Sequence, residues 1–390
     1  MHIPNVLANA CILETELAVF IVRQHLHSSL YDRFTTRPFL MQIEKLWICY
    51  QILVTLSEAH QRNVCHGDLK TENVLLTTQN CTYLVDFSGA LKPTYLPVDN
   101  PCDFSYYFDT SARRICYLAP ERFVVPSTAN TSELTPEMDI FSLGCVIAEV
   151  FLEGHPLFTF AQLLRYRTGE YDPAQTLERI DNLQVRQMIT QMISLDPRKR
   201  LPFAECLQNQ RGNIFPEYFY TFLHSYFLDF TLVSGNPAFN IKTAESHEIA
   251  EADSIIERLY YDFADISRKL NLGCRPNEPT PPQISSSLLP VSVSIPKYCV
   301  NSIDIPRILT QDSPALLFIT LLCSVVRNCL YPISKLCAID MLLAFGVQLD
   351  DQVKLERIVP YLICLVGDIH PLVRINTLTT ITQLVCFCFM

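Results

Sequence analysis

The feature that most constrains this chain is a short polar run, Asp68-Leu-Lys-Thr-Glu-Asn73, followed thirteen residues after Asn73 by a second acidic residue, Asp86. Brief strand-like runs at 74–76 and 83–85 predict a β-hairpin between these two polar groups. We expect the side chains of Asp68, Lys70, Asn73 and Asp86 to converge at one cleft. A lone pattern of this kind also fits an exposed polar turn, so its meaning depends on the residues around it.

Three further features stand at compatible distances from this run. Ala119-Pro120-Glu121 closes the segment that begins at Asp86, and Asp139 and Gly144 lie in the apolar helix that follows. Arg200 comes shortly after Asp196-Pro197 and is the predicted partner of a buried Glu121 carboxylate, which would be costly to leave unpaired. Together these residues resemble the catalytic loop, the metal-binding motif and the C-lobe of a protein kinase.

The resemblance assigns a role to each residue of the polar pattern. It implies that Asp68 accepts the proton of a substrate hydroxyl and that Lys70 offsets charge on the transferring phosphate. Asn73 and Asp86 would hold Mg²⁺ against the phosphates of ATP, since one amide and one carboxylate suit a small hard cation that keeps several waters. The expected catalytic residues are therefore Asp68 and Lys70, the expected metal and cofactor ligands are Asn73 and Asp86, and the expected cofactors are ATP and Mg²⁺.

The chain departs from the protein-kinase pattern in three places. No glycine precedes Gly67 and no lysine precedes Lys45, so a Gly-rich loop and an upstream lysine are not in this sequence. Gly67 stands where many kinases have an arginine that pairs with a phosphorylated activation loop, and Ser88 stands where a glycine usually follows Asp86-Phe87. We expect a kinase-like domain that lacks most of its N-lobe, with apolar surface uncovered around Val19 and Ile21, and negligible kinase activity from this chain.

Bulk composition excludes several classes of function. The 390 residues are 49% hydrophobic and carry a net charge of −10, which argues against disorder and against nucleic acid as a partner. The 16 cysteines include no Cys-x-x-Cys pair, so they are interpreted as small buried hydrophobic residues in a reducing compartment. The apolar run 316–326 is too short for the ~18 residues of a membrane span and predicts a buried helix.

The remaining sequence is mostly helical in pattern. Apolar spacing predicts helices at 42–59, 138–152, 176–193, 203–208, 215–230 and 254–271. A Pro- and Ser-rich stretch at 274–296 predicts a linker or a surface insertion. Beyond it, the run beginning at Pro332 matches the run beginning at Pro371, an offset of 371 − 332 = 39 residues. A period near ~40 is typical of HEAT or armadillo repeats, with generic helical hairpins as the alternative.

A closer resemblance is carried by several segments in order. They are Leu30-Tyr-Asp-Arg, Thr36-Arg-Pro-Phe, His66-Gly-Asp-Leu-Lys-Thr-Glu-Asn, Lys92-Pro-Thr-Tyr-Leu-Pro, Asp99-Asn-Pro, Phe108-Asp-Thr-Ser, Cys116-Tyr-Leu-Ala-Pro-Glu-Arg-Phe and Gln210-Arg-Gly-Asn. The chain is similar to the regulatory subunit of the class III phosphatidylinositol 3-kinase complex, a vacuolar protein sorting-associated kinase-like family. That resemblance implies a mainly α fold, with a kinase-like C-lobe followed by a HEAT-like α-solenoid.

The resemblance also implies domains and partners. The expected divisions are a kinase-like domain at 1–232, a helix and linker at 233–302, and helical repeats at 303–390. The expected partners are the catalytic subunit of the lipid kinase and an adaptor for autophagy or endosomes. The expected location is cytoplasmic, peripheral on endosome, autophagosome or vacuole membranes. His2 replaces the family's lipid-anchored glycine and no propeller repeats follow, so we expect an internal fragment or an incorrectly predicted gene.

Two functions of different classes remain open from the sequence. One is a scaffold whose kinase-like domain and solenoid hold a lipid kinase in autophagy and vacuolar sorting. The other is an active ATP-dependent Ser/Thr protein kinase. A third interpretation, a general α-solenoid adaptor, is less favoured because it explains only the last part of the chain. Among other residues, His66 is predicted to pack on Phe87, Trp47 to lie in the core, and Arg113-Arg114 to be a solvated pair.

Overall fold

The computed structural model describes residues 3–16, 18–89, 91–98, 100–124, 133–234, 244–270, 272 and 313–388. The chain divides into two compact units. The first comprises Met1–Leu40, Lys45–Thr77 and Cys81–Phe219, and the second comprises Met41–Glu44, Thr78–Asn80 and Tyr220–Met390.

In the described residues, the β-structure consists of short strands in three small sheets. The strands are β1 Asn9–Glu14, β2 Val19–Arg23, β3 Ser28–Ser29, β4 Val74–Leu76, β5 Thr82–Leu84, β6 Leu96–Pro97 and β7 Phe123–Val124. Strands β1 and β2 form an antiparallel hairpin, β3, β4 and β5 form an antiparallel sheet in that order, and β6 pairs with β7 in parallel. The predicted hairpin at 74–85 is confirmed, with its second strand one residue earlier than expected.

The residues described between 30 and 209 form eight α-helices. They are α1 Leu30–Thr35, α2 Gln42–Gln61, α3 Pro101–Tyr107, α4 Pro136–Phe151, α5 Phe160–Thr168, α6 Ala174–Leu177, α7 Leu183–Met192 and α8 Phe203–Asn209. The predicted helices at 42–59, 138–152 and 203–208 are confirmed. Trp47 is 1% exposed and stacks against Tyr50, so its predicted place in the core is also confirmed.

Helix α4 lies at the centre of the first unit. Every residue from Met138 to Val150 is buried, which is the pattern of a helix covered on all sides. A Cβ at Gly144 would lie 2.9 Å from the side chains of Met192 and Ile193, so the glycine allows α7 to approach α4 closely. Because α4 carries Asp139, this packing fixes one of the residues singled out by the sequence.

The single helix predicted at 176–193 is wrong. The chain forms α6 and then begins α7 separately, because the side chain of Asn182 accepts hydrogen bonds from the backbone N–H groups of Gln184 and Val185. An Asn in that position caps a new helix in preference to continuing an old one.

The exposure of Val19 and Ile21, 54% and 46%, agrees with the expected uncovered apolar surface on β2.

The second unit is helical in its described residues. Its helices are α9 His224–Ser234, α10 Ala244–Lys269, α11 Ala315–Val326, α12 Pro332–Gly346, α13 Asp351–Val353, α14 Val359–Leu365 and α15 Pro371–Cys388, with π-helical turns at Phe219–Leu223 and Lys354–Ile358. The 215–230 prediction therefore becomes a π-helical turn followed by α9. Helix α11 packs against α10 and α12, and α15 packs against α12 and α14.

The two segments that match at an offset of 39 residues both begin a helix. Pro332 is the first residue of α12 and Pro371 the first of α15, where proline suits a position whose N–H has no helical partner. The equivalent basic residues also meet the same turn. Lys335 Nζ lies 2.6 Å from the Asp368 carboxylate, and Arg374 donates to the carbonyl of Asp368 at 2.9 Å. These contacts agree with a repeated unit, while a continuous solenoid stays a prediction.

A buried carboxylate holds part of the second unit together. Glu44, which has no exposed surface, receives both terminal nitrogens of Arg357 at 2.7 and 3.0 Å. The side chain of Asn80 donates to it at 2.8 Å and the backbone N–H of Met41 at 2.9 Å. The carboxylate is thus fully satisfied, which a buried charge requires.

Two predictions concern residues that the structure does not describe. The predicted 274–296 linker lies outside the described residues, as does the boundary at 302, and the three-part domain division therefore stays a prediction. The apolar run 316–326 is a buried helix, as expected. None of the helices described here has both the length and the apolar character needed to cross a membrane.

Candidate functional site

The four residues predicted from the polar pattern line one cavity of about 370 Å³. Asp68, Lys70 and Asn73 come from the loop between α2 and β4, and Asp86 follows β5. The hairpin β4–β5 brings the chain back, and the backbone N–H of Val85 donates to the carbonyl of Asn73 at 3.1 Å. The expected convergence at one cleft is therefore observed, while the chemical role of each residue stays a prediction.

The catalytic-loop candidates are tied to one another. The Asn73 amide donates to the backbone carbonyl of Asp68 at 2.7 Å and to its carboxylate at 3.2 Å. Lys70 Nζ lies 3.8 Å from the same carboxylate and donates to the carbonyl of Phe108 at 3.2 Å. Asp68 is almost fully buried, so this loop presents a fixed carboxylate to the cavity.

Lys92 joins this group although no role was predicted for it. Its Nζ lies 2.6 Å from the Asp68 carboxylate and 5.1 Å from the centre of the Phe108 ring. The only sequence signal was its place in the Lys92-Pro-Thr-Tyr-Leu-Pro segment. The residue predicted to accept a proton thus already contacts a lysine within the cavity.

A second unpredicted cation meets the other carboxylate. Arg23, the last residue of β2, forms a two-point ion pair with Asp86 through nitrogen–oxygen distances of 2.6 and 3.2 Å. Asp86 has a left-handed backbone with φ of 60° and its side chain is half exposed. Nothing in the sequence around Arg23 marked it as a member of the site.

The predicted ligands Asn73 and Asp86 suit Mg²⁺ by their donor atoms. The amide nitrogen of Asn73 is engaged by Asp68, so its carbonyl oxygen keeps its lone pairs for a cation. The Asp86 carboxylate is an equally suitable oxygen donor. Both of its oxygens are nevertheless bonded to Arg23, so a cation at this position competes with an internal guanidinium.

Asp139 on α4 holds the backbone of the predicted catalytic loop in place. Its carboxylate accepts the backbone N–H groups of His66 at 2.7 Å and Gly67 at 2.8 Å, and its Oδ2 lies 2.9 Å from His60 Nε2. Burial by itself raises the pKa of Asp139, but the hydrogen bonds from His60 and Gly67 outweigh it and hold the pKa below its ordinary value. The anchor is therefore an ionised carboxylate.

His66 behaves as predicted for a core residue. It is fully buried and stacks on Phe87 with 4.4 Å between ring centres. Burial lowers the pKa of His66, against the opposing influence of Asp139 and Asp68, so the ring is neutral. Its contribution is to pack the loop against the metal-binding motif.

Gly67 and Ser88, two of the departures from the protein-kinase pattern, lie against each other. Gly67 has φ of 75°, and a Cβ there would lie 2.2 Å from Ser88 Oγ. Ser88 donates to the carbonyl of His66 through its backbone N–H at 2.8 Å and through its hydroxyl at 3.1 Å. The missing side chain at 67 therefore makes room for a serine that ties the two motifs together.

The prediction of a solvated Arg113-Arg114 pair is wrong for Arg113. Its side chain is 13% exposed and lies 2.8 Å from both Glu72 and Glu149. It also covers the ring of Tyr31 at 3.7 Å from the ring centre. Burial raises the pKa of Glu149, and the nearby arginine opposes that rise. An aromatic-rich loop sequence gave no sign that this arginine faces inward.

The predicted pair between Glu121 and Arg200 is confirmed, with nitrogen–oxygen distances of 2.6 and 2.9 Å. The buried partner is the arginine, whose side chain has no exposed surface, whereas a quarter of the Glu121 side chain is exposed. The cysteines Cys49 and Cys81 are buried as expected, and burial raises the pKa of each thiol to about 12. The expectation is wrong for Cys11, Cys102 and Cys364, which are exposed.

Comparisons with known proteins agree with the geometry. A family model described as a protein kinase domain matches residues 1–210, and one described as a PIK3R4-like middle domain matches residues 318–388. The serine/threonine-protein kinase VPS15 of Saccharomyces cerevisiae is 36% identical over 98% of this chain and 28% of its own length. VPS15 of Arabidopsis thaliana is 35% identical over 95% of the chain and 28% of its length. The chain thus spans little more than a quarter of these relatives.

Proposed function

This chain belongs to the protein kinase family, and from that premise we propose that it is the kinase-like and helical part of a regulatory subunit of a class III phosphatidylinositol 3-kinase complex. The observation that carries the proposal is the succession of two matches along one chain, a protein kinase domain and then a PIK3R4-like middle domain. The expected likeness to VPS15-type regulatory kinases is confirmed by relatives from yeast and plants that match most of the chain.

The role of the kinase-like domain is that of a scaffold. Support comes from ion pairs within the domain that engage its predicted active-site carboxylates. Lys92 pairs with Asp68, and Arg23 pairs with Asp86. Arg113 draws the segment after Asp86 onto Glu72 and Glu149. These internal pairs favour a fixed shape over a cycle of substrate binding and release.

The helices at 313–388 form HEAT-type repeats in this proposal. Support comes from the matching prolines, Pro332 and Pro371, which both begin helices, and from the shared turn around Asp368. Repeats of this kind stack into extended surfaces that bind other proteins. The expected ligands of that surface are the lipid kinase and an adaptor acting in autophagy and vacuolar sorting, with peripheral attachment to the corresponding membranes through the complex.

Nucleotide binding is part of the same proposal. Asn73 and Asp86 would hold Mg²⁺, whose charge would neutralise the phosphates of ATP, and Lys70 would contact the terminal phosphate. An active protein kinase uses these residues too, with Asp68 taking the proton of a hydroxyl. It is less favoured because the Asp68 carboxylate is already paired with Lys92 at 2.6 Å.

Co-purification separates the scaffold from the enzyme. Tagged chain is expressed in cells, and a co-isolated lipid kinase is identified by mass spectrometry and by phosphorylation of phosphatidylinositol. We expect equal recovery of lipid kinase activity with the wild-type chain and with Asp68→Asn, because that carboxylate serves no partner contact in the proposal. Loss of the lipid kinase in Asp68→Asn, or its absence from the wild-type preparation, would reject the scaffold function.

A further inference from the structure

We propose that His60, Cys65 and Asp139 form a binding site for a thiophilic divalent cation, Zn²⁺. The site lies where the Asp139 carboxylate meets the backbone N–H groups of His66 and Gly67. It shares no ligand with the predicted magnesium site, and it does not depend on the function proposed above.

The first argument is the convergence of three different donor atoms. A ring nitrogen of His60, Sγ of Cys65 and a carboxylate oxygen of Asp139 all lie within 4.8 Å of one another. His60 lies in the last turn of α2, Cys65 in the loop that follows, and Asp139 in the first turn of α4. Ligands that surround one Zn²⁺ at ~2.0–2.3 Å stand about 3.3–3.8 Å from each other, so small side-chain rotations complete the set.

The second argument is the binding capacity left on the Asp139 carboxylate. Its Oδ2 accepts the backbone N–H of His66 at 2.7 Å and lies 2.9 Å from His60 Nε2. A carboxylate oxygen has two lone-pair positions. The metal therefore replaces the contact with His60 and leaves the N–H of His66 in place. The neutral His60 ring then carries its proton on Nδ1 and offers Nε2 to the metal.

The third argument is the type and charge of the donors. Imidazole nitrogen, thiolate sulfur and carboxylate oxygen are the ligands of zinc sites, and a thiolate selects Zn²⁺ over Mg²⁺. When the metal binds, the thiol proton of Cys65 leaves to solvent. The thiolate and the Asp139 carboxylate then balance both charges of the metal. This balance is needed because the side chains of His60 and Asp139 are only 11% and 2% exposed, and an uncompensated charge is costly there.

The surroundings of Cys65 allow a metal ion to enter and to complete its coordination. Its thiol lies 3.8 Å from the carbonyl oxygen of Leu134. That oxygen or a water molecule takes the fourth position of a tetrahedral site. Cys65 is only partly buried, so the ion reaches the site from solvent.

Zinc titration of the full chain tests the proposal. The chain is freed of metal with EDTA, kept reduced with a phosphine, and titrated with ZnCl₂ by calorimetry. We expect binding with a dissociation constant in the micromolar range or below. Cys65→Ser should weaken this binding by about 100-fold or more, because removing a residue that merely orients a ligand already costs about 10- to 100-fold. Cys102→Ser removes an exposed cysteine on α3 in the same unit and is the matched control, with unchanged binding expected.

Alkylation of the cysteines locates the site. Iodoacetamide labelling followed by peptide mass spectrometry should modify Cys65 several-fold more slowly in ZnCl₂ than in EDTA, because a metal-bound thiolate is shielded. Cys102 should react equally in both buffers. In His60→Gln the protection of Cys65 should disappear although that thiol is unchanged, because an amide can keep the hydrogen bond to Asp139 but is a poor zinc ligand.

Three results would overturn the proposal. They are zinc binding by the wild-type chain no tighter than that of Cys65→Ser, equal alkylation of Cys65 in ZnCl₂ and EDTA, and zinc protection of Cys65 that persists in His60→Gln. Circular dichroism shows whether each variant is folded. Alkylation of the wild-type chain decides the matter without any variant.

Discussion

Replacing Glu44 by glutamine should destabilise the second unit by about 3–5 kcal/mol, the usual cost of removing one member of a buried ion pair. Glu44 has no exposed surface, and the side chain of Arg357 is 9% exposed. In Glu44→Gln the guanidinium remains buried without its counter-charge. The amide group also turns two hydrogens toward a site built of donors, since Arg357, Asn80 and the backbone of Met41 all donate to the carboxylate.

The contribution of each partner is separated by a double-mutant cycle. Arg357→Met removes the cation and leaves Glu44 buried with fewer donors, so it should cost a similar amount. In the double variant neither charge remains, and the loss should be well below the sum of the two single losses. A non-additivity of about 2 kcal/mol or more would measure the pair itself.

Amide hydrogen exchange of α11 and α12 is the suitable assay, because these helices lie in the second unit and a chain of two units need not unfold in one step. Asp229→Asn is the matched control in the same unit. Asp229 pairs with Arg258 at 2.9 Å, but its side chain is 56% exposed, so about 0–1 kcal/mol is expected. A loss in Glu44→Gln no larger than that of the control would refute the reasoning.

Three further outcomes follow from the loop and the segment after it. Gly67→Ala should lower the melting temperature, because its φ of 75° and the 2.2 Å approach to Ser88 Oγ leave no room for a methyl group, and Ser88→Gly in the same chain should restore part of the loss. Arg113→Met should speed limited proteolysis of residues 109–118, because Glu149 then loses its cation; unchanged cleavage would show that this contact does not order the segment. Because the pKa of Asp139 is lowered in the folded chain, its stabilising effect is complete well above its ordinary value of 3.8 and is lost as the pH falls through the lower, folded value. Urea denaturation as a function of pH should show that Asp139→Asn has lost this part of the acid dependence, and equal acid profiles would contradict the assignment.

Local patterns predicted the elements that surround the site. The β4–β5 hairpin, the long helices α2 and α4 and the convergence of Asp68 with Asp86 all depend on neighbouring residues or on a spacing that a known family shares. The pair of Glu121 with Arg200 was also predictable, because both residues lie in motifs with fixed places in that family.

Contacts between distant parts of the chain were not predictable in this way. Arg23 and Asp86 are 63 residues apart, and Glu44 and Arg357 are 313 apart. Neither cation lies in a motif, so only the folded chain shows what each one meets. Arg113 was misjudged for a related reason, because the acidic residues that bury it come from a loop and a helix elsewhere in the sequence.

The inward-facing Arg113 has a consequence for regulation. Kinases that order the equivalent segment by phosphorylation can be switched off when a phosphatase removes the added charge. Here the opposing charges belong to Glu72 and Glu149, which are encoded in the chain and are present from synthesis onward. The contacts of Arg113 that hold this segment therefore need no added phosphate, and they form as soon as the chain folds.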